Sequence, residues 1–165
     1  MAARPTPERV PGTESVWDYP RPPAVRLVDR RVVVRLGGVV IADAPSVVEV
    51  LETSHPPTVY IARSDFVEGA LRPAEGSSWC EFKGHARYLD VVGGDRVAER
   101  AAWYYPDPTP GYLELVDRVA LYPGAMDECR MDGEIVLPQP GSFYGGWVTS
   151  RVSGPFKGEP GTAGW

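Results

Sequence analysis

Cysteine is scarce in this sequence, and the scarcity closes off several chemistries. The two that occur, Cys80 and Cys129, form no Cys-x-x-Cys pair and share no regular spacing with the two histidines, His55 and His85. A structural zinc site has no ligand set to draw on. Two such residues in a reducing compartment default to free thiols, and no metal or cofactor is expected. No apolar run approaches the roughly 18 residues that would span a bilayer. The opening stretch, MAARPTPERVPGTESVWDYP, lacks the apolar middle of a secretory signal. Both absences lead us to expect a cytoplasmic protein with no membrane partner. Positive charge is also in deficit: the net charge is -5 and the pI about 5.1. A nucleic-acid binder ordinarily carries a surplus of Lys and Arg, so no nucleic-acid partner is expected. Arg21, Arg26, Arg30, Arg31 and Arg35 do gather near the start. Asp29 and the interleaved valines read there as strand edges, not as a phosphate track.

Long helical periodicity is missing too, and glycine and proline stand in its place. Each occurs 18 times, spread along 165 residues, as in one domain of many short strands and turns. Three segments carry hairpin signals. RVVVRLGGVVIAD (31–43) turns at Gly37-Gly38, YLDVVGGDRVAE (88–99) at Gly93-Gly94, and ECRMDGEIVL (128–137) at Asp132-Gly133. Two-residue turns with positive φ match the twist of antiparallel strands, and Gly-Gly or Asp-Gly supplies that conformation at least cost. Further strands are predicted at 46–52, 58–62, 79–82 and 118–122. A turn or two of helix is predicted at 64–71, capped by Ser64, and another at 111–118. The fold class is mostly β. Residues 1–23, with six prolines, read as an arm over the domain, anchored by Trp17 and Tyr19. Residues 24–138 form the β domain. Residues 139–165 are a Gly/aromatic-rich tail whose large side chains need burial, against the domain or in a homodimer contact. A faint echo of Gly37–Asp43 in Gly93–Glu99, and of Tyr60-Ile61-Ala62 in Leu121-Tyr122-Pro123, suggests two pseudo-repeated halves.

Three groups of residues could carry chemistry. In LETSHPPTVY (51–60) a glutamate precedes a histidine by three positions, and the histidine runs into two prolines. The residue before proline is held extended, so His55 is fixed just beyond the strand that ends near Glu52. The carboxylate can then orient the imidazole and raise its basicity, making a general base or a substrate-binding pair. The plainer alternative is a corner in which both side chains bond the backbone. Cys80 and Lys83 form the second group. A lysine three residues from a thiol favours thiolate, which makes Cys80 a nucleophile or a pocket thiol, against the commoner fate of a small buried Cys. Lys83 followed by Gly84 suits an anion contact, since glycine lets a ligand approach the backbone. Trp103 and Tyr105 are third. In a strand they share one face, with Tyr104 on the other. They make an aromatic wall for a planar ligand or sugar, or else core packing. Tyr60 and Tyr122 are read as pocket hydroxyls or core tyrosines.

LETSHPPTVYIARSDF, WCEFKGHARY, AAWYYPDPTPG and RVALYP, in that order, resemble the domain-of-unknown-function 427 family. GSFYGGWVTSRVSGPFKGEPGTAGW resembles the C-terminal extension of its longer bacterial members. The resemblance spans residues 25–165 and implies a small, mostly β, tent-like or barrel-like domain with a "nucleotidyltransferase" label. The family usually has Gly where this chain has Ser54, Pro where it has Ala62, and Cys-Pro-Tyr-Lys-Gly where it has Cys80-Glu81-Phe82-Lys83-Gly84. His85 matches no family motif. The label finds little support in the residues. Gly76-Ser77 is followed by no Asp-x-Asp, Asp132-Gly133-Glu134 is also an ordinary hairpin turn, and no Gly-x-x-x-x-Gly-Lys-[Ser/Thr] occurs.

The sequence thus predicts an uncharacterised β protein with a polar and aromatic pocket for a small-molecule ligand. One reading is an enzyme acting on a small polar or anionic metabolite. In it Glu52, His55 and Cys80 are catalytic, and Tyr60, Lys83, Gly84, Trp103 and Tyr105 bind substrate. The alternatives are a non-catalytic binding module and the nucleotidyltransferase of the label.

Overall fold

β-Branched runs on either side of a glycine turn become paired strands, most plainly over residues 32–44. The structure, a computed structural model, describes residues 4–141 and 143–165. β1 (Glu14–Ser15) lies in the N-terminal arm. β2 (Ala24–Val28), β3 (Val32–Leu36), β4 (Val39–Ala44), β5 (Val47–Leu51) and β6 (Thr58–Ala62) follow. Then come the long strands β7 (Leu71–Cys80), β8 (Gly84–Gly93) and β9 (Arg96–Tyr104), and β10 (Arg118–Leu121). β11 (Glu128–Met131) and β12 (Glu134–Ile135) form the last hairpin. β13 (Leu137–Pro138), β14 (Trp147–Val148) and β15 (Val152–Ser153) are two-residue pieces beyond it.

Seven strands in the order β2-β5-β6-β10-β9-β8-β7 make one antiparallel sheet, and β12-β11-β3-β4 make a second. The outer strands β2 and β7 do not pair with each other, so the large sheet stays open and no barrel closes. Gly37-Gly38 and Asp132-Gly133 turn their hairpins with φ of 62° and 80°, and 49° and 83°. The third turn sits one residue later than predicted. Gly93 pairs with Arg96, which leaves Gly94-Asp95 as the turn. Gly93 is glycine for another reason: a Cβ there would run into the Leu36 carbonyl, because the tips of the β3–β4 and β8–β9 hairpins touch. Those echoed hairpins lie in different sheets. The echoed segments β6 and β10 are antiparallel neighbours, each followed by a 3-10 turn.

The predicted helix at 64–71 is only the 3-10 turn Arg63–Asp65, with no cap from Ser64. Phe66 is claimed instead by a bridge to Ala42 and by packing on the core. Over 111–118 the chain makes 3-10 turns at Pro110–Leu115, broken at Tyr112. The break turns Tyr112 inward, and its hydroxyl donates to the Pro23 carbonyl at 2.8 Å. Of the strand predicted at 79–82 only 79–80 is strand, the end of β7, which starts at Leu71 and carries a bulge between Pro73 and Ser77; 81–83 turn towards β8.

The main core fills the space between the two sheets. Val32, Val34 and Leu36 of the small sheet meet Val59, Ile61, Val91, Val119 and Leu121 of the large one. Trp147, 1% exposed, plugs this core from the tail, and its indole N–H donates to the Leu121 carbonyl at 3.4 Å. The arm lies beside the tail through the parallel pair β1–β15. Val16, Trp17, Tyr19 and Leu51 form a satellite core there, with Val152, Phe156 and Trp165 against it. Trp147→Ala is expected to cost about 3–5 kcal/mol, as for other fully buried aromatics. Urea unfolding measures it, and a loss below about 1 kcal/mol would detach the tail from the cooperative unit.

Candidate functional site

The face of the large sheet turned away from the small one is not bare. Strand register sets Val48, Tyr60, Ala120, Trp103 and Tyr88 in one cross-strand row over β5, β6, β10, β9 and β8. Alternation along β9 gives Trp103 and Tyr105 to this face and Tyr104 to the main core. A cavity of about 330 Å³ opens over the row. Glu52 and His55 from the loop after β5, Cys80 and Lys83 from the β7–β8 end, and Tyr60, Trp103 and Tyr105 from the sheet all line it. Three segments far apart in sequence thus meet around one hollow. Gly84 is not in its lining. Its φ of 107° and its place against Asp107 and Thr109 set the turn that carries Lys83. The Lys83 carbonyl accepts from Thr109 N–H at 3.1 Å, and the Phe82 carbonyl from the Thr109 hydroxyl at 2.5 Å. Lys83 Nζ stands 5.9 Å from the Tyr105 ring centre. Cys129 lies in the other core, its thiol pushed up by burial.

The loop at 52–55 is a tight turn. The His55 N–H donates to the Glu52 carbonyl at 3.0 Å, and the Ser54 N–H to the Val16 carbonyl at 3.0 Å. Ser54 holds φ at 72°, the region that favours the glycine expected from the family resemblance, and its buried hydroxyl has no hydrogen-bond partner among the described residues. Glu52 Oε2 takes an ion pair from Arg21 at 3.1 Å and faces His55 Nε2 at 3.6 Å. Burial holds the His55 imidazole below its ordinary range. Lys157 and Arg21 push the same way, against the pull of the Glu52 carboxylate. Burial likewise pushes the Tyr60 and Tyr105 hydroxyls up, which keeps them neutral, and their rings lie 6.4 Å apart.

Several lining residues were not candidates from the sequence. The tail crosses the cavity mouth with Phe143, Tyr144 and Gly145. A Cβ on Gly145 would collide with the Trp103 ring, so only glycine lets the strap lie on it. Tyr144 stacks edge-on to His55 at 5.3 Å, while Tyr122, which the sequence did offer as a pocket or core tyrosine, lines the cavity and tilts onto Trp103 at 4.7 Å. Gln139 reaches His55 Nδ1 at 3.0 Å. Nothing local in the sequence marks Gln139, Phe143, Tyr144 or Gly145 as lining the cavity. A larger groove of about 540 Å³ runs beside the arm, but its charges are already paired, Arg9 with Asp18 at 2.9 Å and Arg26 with Glu14 at 2.7 Å. The sequence-predicted groups gather at the smaller cavity and not in the groove.

A family model described as a domain of unknown function (DUF427) matches residues 24–132, more than half of the chain. The chain belongs to the DUF427 family. No curated protein matches it. The DUF427 match takes in the loop, the thiol–lysine turn and the aromatic strand, and stops short of Gln139 and the strap.

Two outcomes are expected. Folding withholds from His55 a proton that the unfolded chain binds near the ordinary value of 6.5. Its contribution to stability is complete above that pH and is lost as pH falls below it, until the lower folded value is reached. In urea unfolding across pH, His55→Gln should flatten the wild-type loss just below pH 6.5. An identical slope in both proteins would contradict the assignment. Ser54→Gly should raise stability by about 1 kcal/mol, since it removes both a left-handed side chain and an unpaired buried hydroxyl. A loss of stability in the same assay would show that the hydroxyl is engaged.

Proposed function

We propose that the cavity binds a small polar or anionic metabolite and that Glu52 and His55 act on it as an acid–base pair. The observation that carries this reading is the convergence of the Glu52–His55 loop, the Cys80–Lys83 turn and an aromatic sheet face on one space. Ligand sites are typically apolar hollows with a few placed polar groups, and a volume of about 330 Å³ is at the small end of their range. Tyr60, Trp103 and Tyr105 offer ring faces and two neutral hydroxyls to a planar or sugar-like body. Lys83 supplies the positive charge for an anionic group. Cys80, on the same wall, is the nucleophile within reach of a bound molecule. The strap at 143–145 excludes water from above.

The nucleotidyltransferase label fits the donor set poorly. Nucleotidyl transfer usually needs two acidic residues converging on Mg²⁺. Among the described residues Glu52 is the one carboxylate lining the cavity, and it is paired with Arg21. Asp132 is elsewhere, accepting from the Arg31 N–H at 2.8 Å and pairing with Arg151 at 3.0 Å.

Native mass spectrometry of protein purified from its own host tests the reading. Wild type should retain a small molecule that Trp103→Ala loses. His55→Ala and Glu52→Gln should keep that molecule bound but fail to convert it; conversion by both variants would leave a binding module only. No retained molecule, together with thermal stabilisation by a nucleoside triphosphate and Mg²⁺ alone, would favour the label instead.

A further inference from the structure

We infer that Gln139 is a positioning residue that holds His55 as a neutral hydrogen-bond donor, its proton on Nε2 and its lone pair on Nδ1. The inference deepens the reading of the cavity as a ligand site and rests on it for its functional meaning. Gln139 is the only side-chain amide in the chain, and it is 3% exposed. Its amide cannot be turned over. The Gly146 N–H donates to Oε1 at 3.1 Å, and Nε2 donates to the Lys157 carbonyl at 2.8 Å. Reversing the group would set oxygen against that carbonyl and NH₂ against that N–H, losing both bonds. The second Nε2 proton is then aimed at His55 Nδ1, 3.0 Å away. A ring nitrogen that faces an N–H must accept, so Nδ1 carries the lone pair and Nε2 the proton.

The rest of the surroundings agree. Glu52 and Arg21 face the imidazole from the loop and the arm, and Lys157 and the Tyr144 ring face it from the tail. Lys157 Nζ donates to the Trp165 carbonyl at 3.1 Å, which keeps that cation in place. Charging the ring would put an Nδ1–H against the Gln139 NH₂. Two donors would then face each other, so the geometry opposes protonation at Nδ1; separately, burial first, then Lys157 and Arg21, hold the ring's proton affinity down against the pull of Glu52. Nε2–H faces Glu52 Oε2 at 3.6 Å, longer than a hydrogen bond. A ligand thus meets a donor at His55 and an acceptor at Glu52. This reverses the usual order, in which a carboxylate orients an imidazole base. Gln139 lies outside the residues that match the family, so the tail sets the proton pattern of a site whose other parts lie within the match.

Long-range ¹H–¹⁵N correlation spectra of the ¹⁵N-labelled full chain read the tautomer directly. Only two histidines occur, so His55→Gln assigns the signals. In wild type at neutral pH, His55 is expected to show an unprotonated Nδ1 and a protonated Nε2. In Gln139→Glu a carboxylate replaces the NH₂, so the proton should move to Nδ1 and the titration midpoint should rise by about 1–3 units. In Gln139→Leu the ring should average between tautomers. A protonated Nδ1 in wild type, or one spectrum shared by wild type and both variants, would overturn the proposal. Should the variants fail to fold, the wild-type spectrum decides alone. The measurement needs no ligand, so the absence of a retained metabolite would sink the cavity reading without touching this one.

Discussion

A sheet that is apolar on both faces has to be covered twice, and this chain has one second sheet with which to do it. Residues in all five positions of β5 are buried, Val47 towards the small sheet and Val48 and Val50 away from it. The same holds for Val59 and Tyr60 in β6 and for Val119 and Ala120 in β10. Strand alternation allows no escape from this, because every second side chain must point to the far face. On that face the cover is improvised from Tyr105, Tyr112, Leu115 and the tail. The cavity is the part of the face that this cover leaves open. Its aromatic floor is therefore continuous with a core, which explains why rings such as Tyr60 can be fully buried and line a pocket at once.

The tail carries more of the architecture than its glycine content suggests. Trp147 belongs to the main core, Phe156 and Trp165 to the satellite core around Trp17, and Gly145 to the roof over Trp103. Glycine serves there as the only residue thin enough to lie against a ring or a carbonyl. A Cβ on Gly146 would come within 2.5 Å of Gln139 Oε1 and 2.6 Å of Pro56. Those close approaches bring a backbone N–H to the Gln139 amide, and through it the tail governs His55. Packing and proton placement at this site are one arrangement.

What the sequence disclosed follows the range of the interactions. Hairpins set by Gly37-Gly38 and Asp132-Gly133 were legible because turn conformation is a local property of two residues. Trp103 and Tyr105 were legible by alternation, and the meeting of Glu52 with His55 by the short spacing before Pro56. β7 was mostly hidden, because LRPAEGSSWC is an edge strand with polar, exposed positions and a bulge, held by pairing with β8 alone. The helix expected at 64–71 failed because the contact of Phe66 with Ala42 and the core outweighs a weak local preference. Gln139 was illegible. Its partner His55 is 84 positions away, and no periodicity or motif links them.

The cavity depends on the strap 143–146 lying across the sheet face, with Gly145 on the Trp103 ring and Tyr144 against His55. Nuclear Overhauser contacts in the full chain measure that directly. Contacts are expected from the Gly145 α-protons to the Trp103 indole, with those protons displaced by its ring current, and from the Tyr144 ring to His55. Unshifted Gly145 protons with no contact to either ring would mean that the far face is covered in some other way and that this cavity does not form.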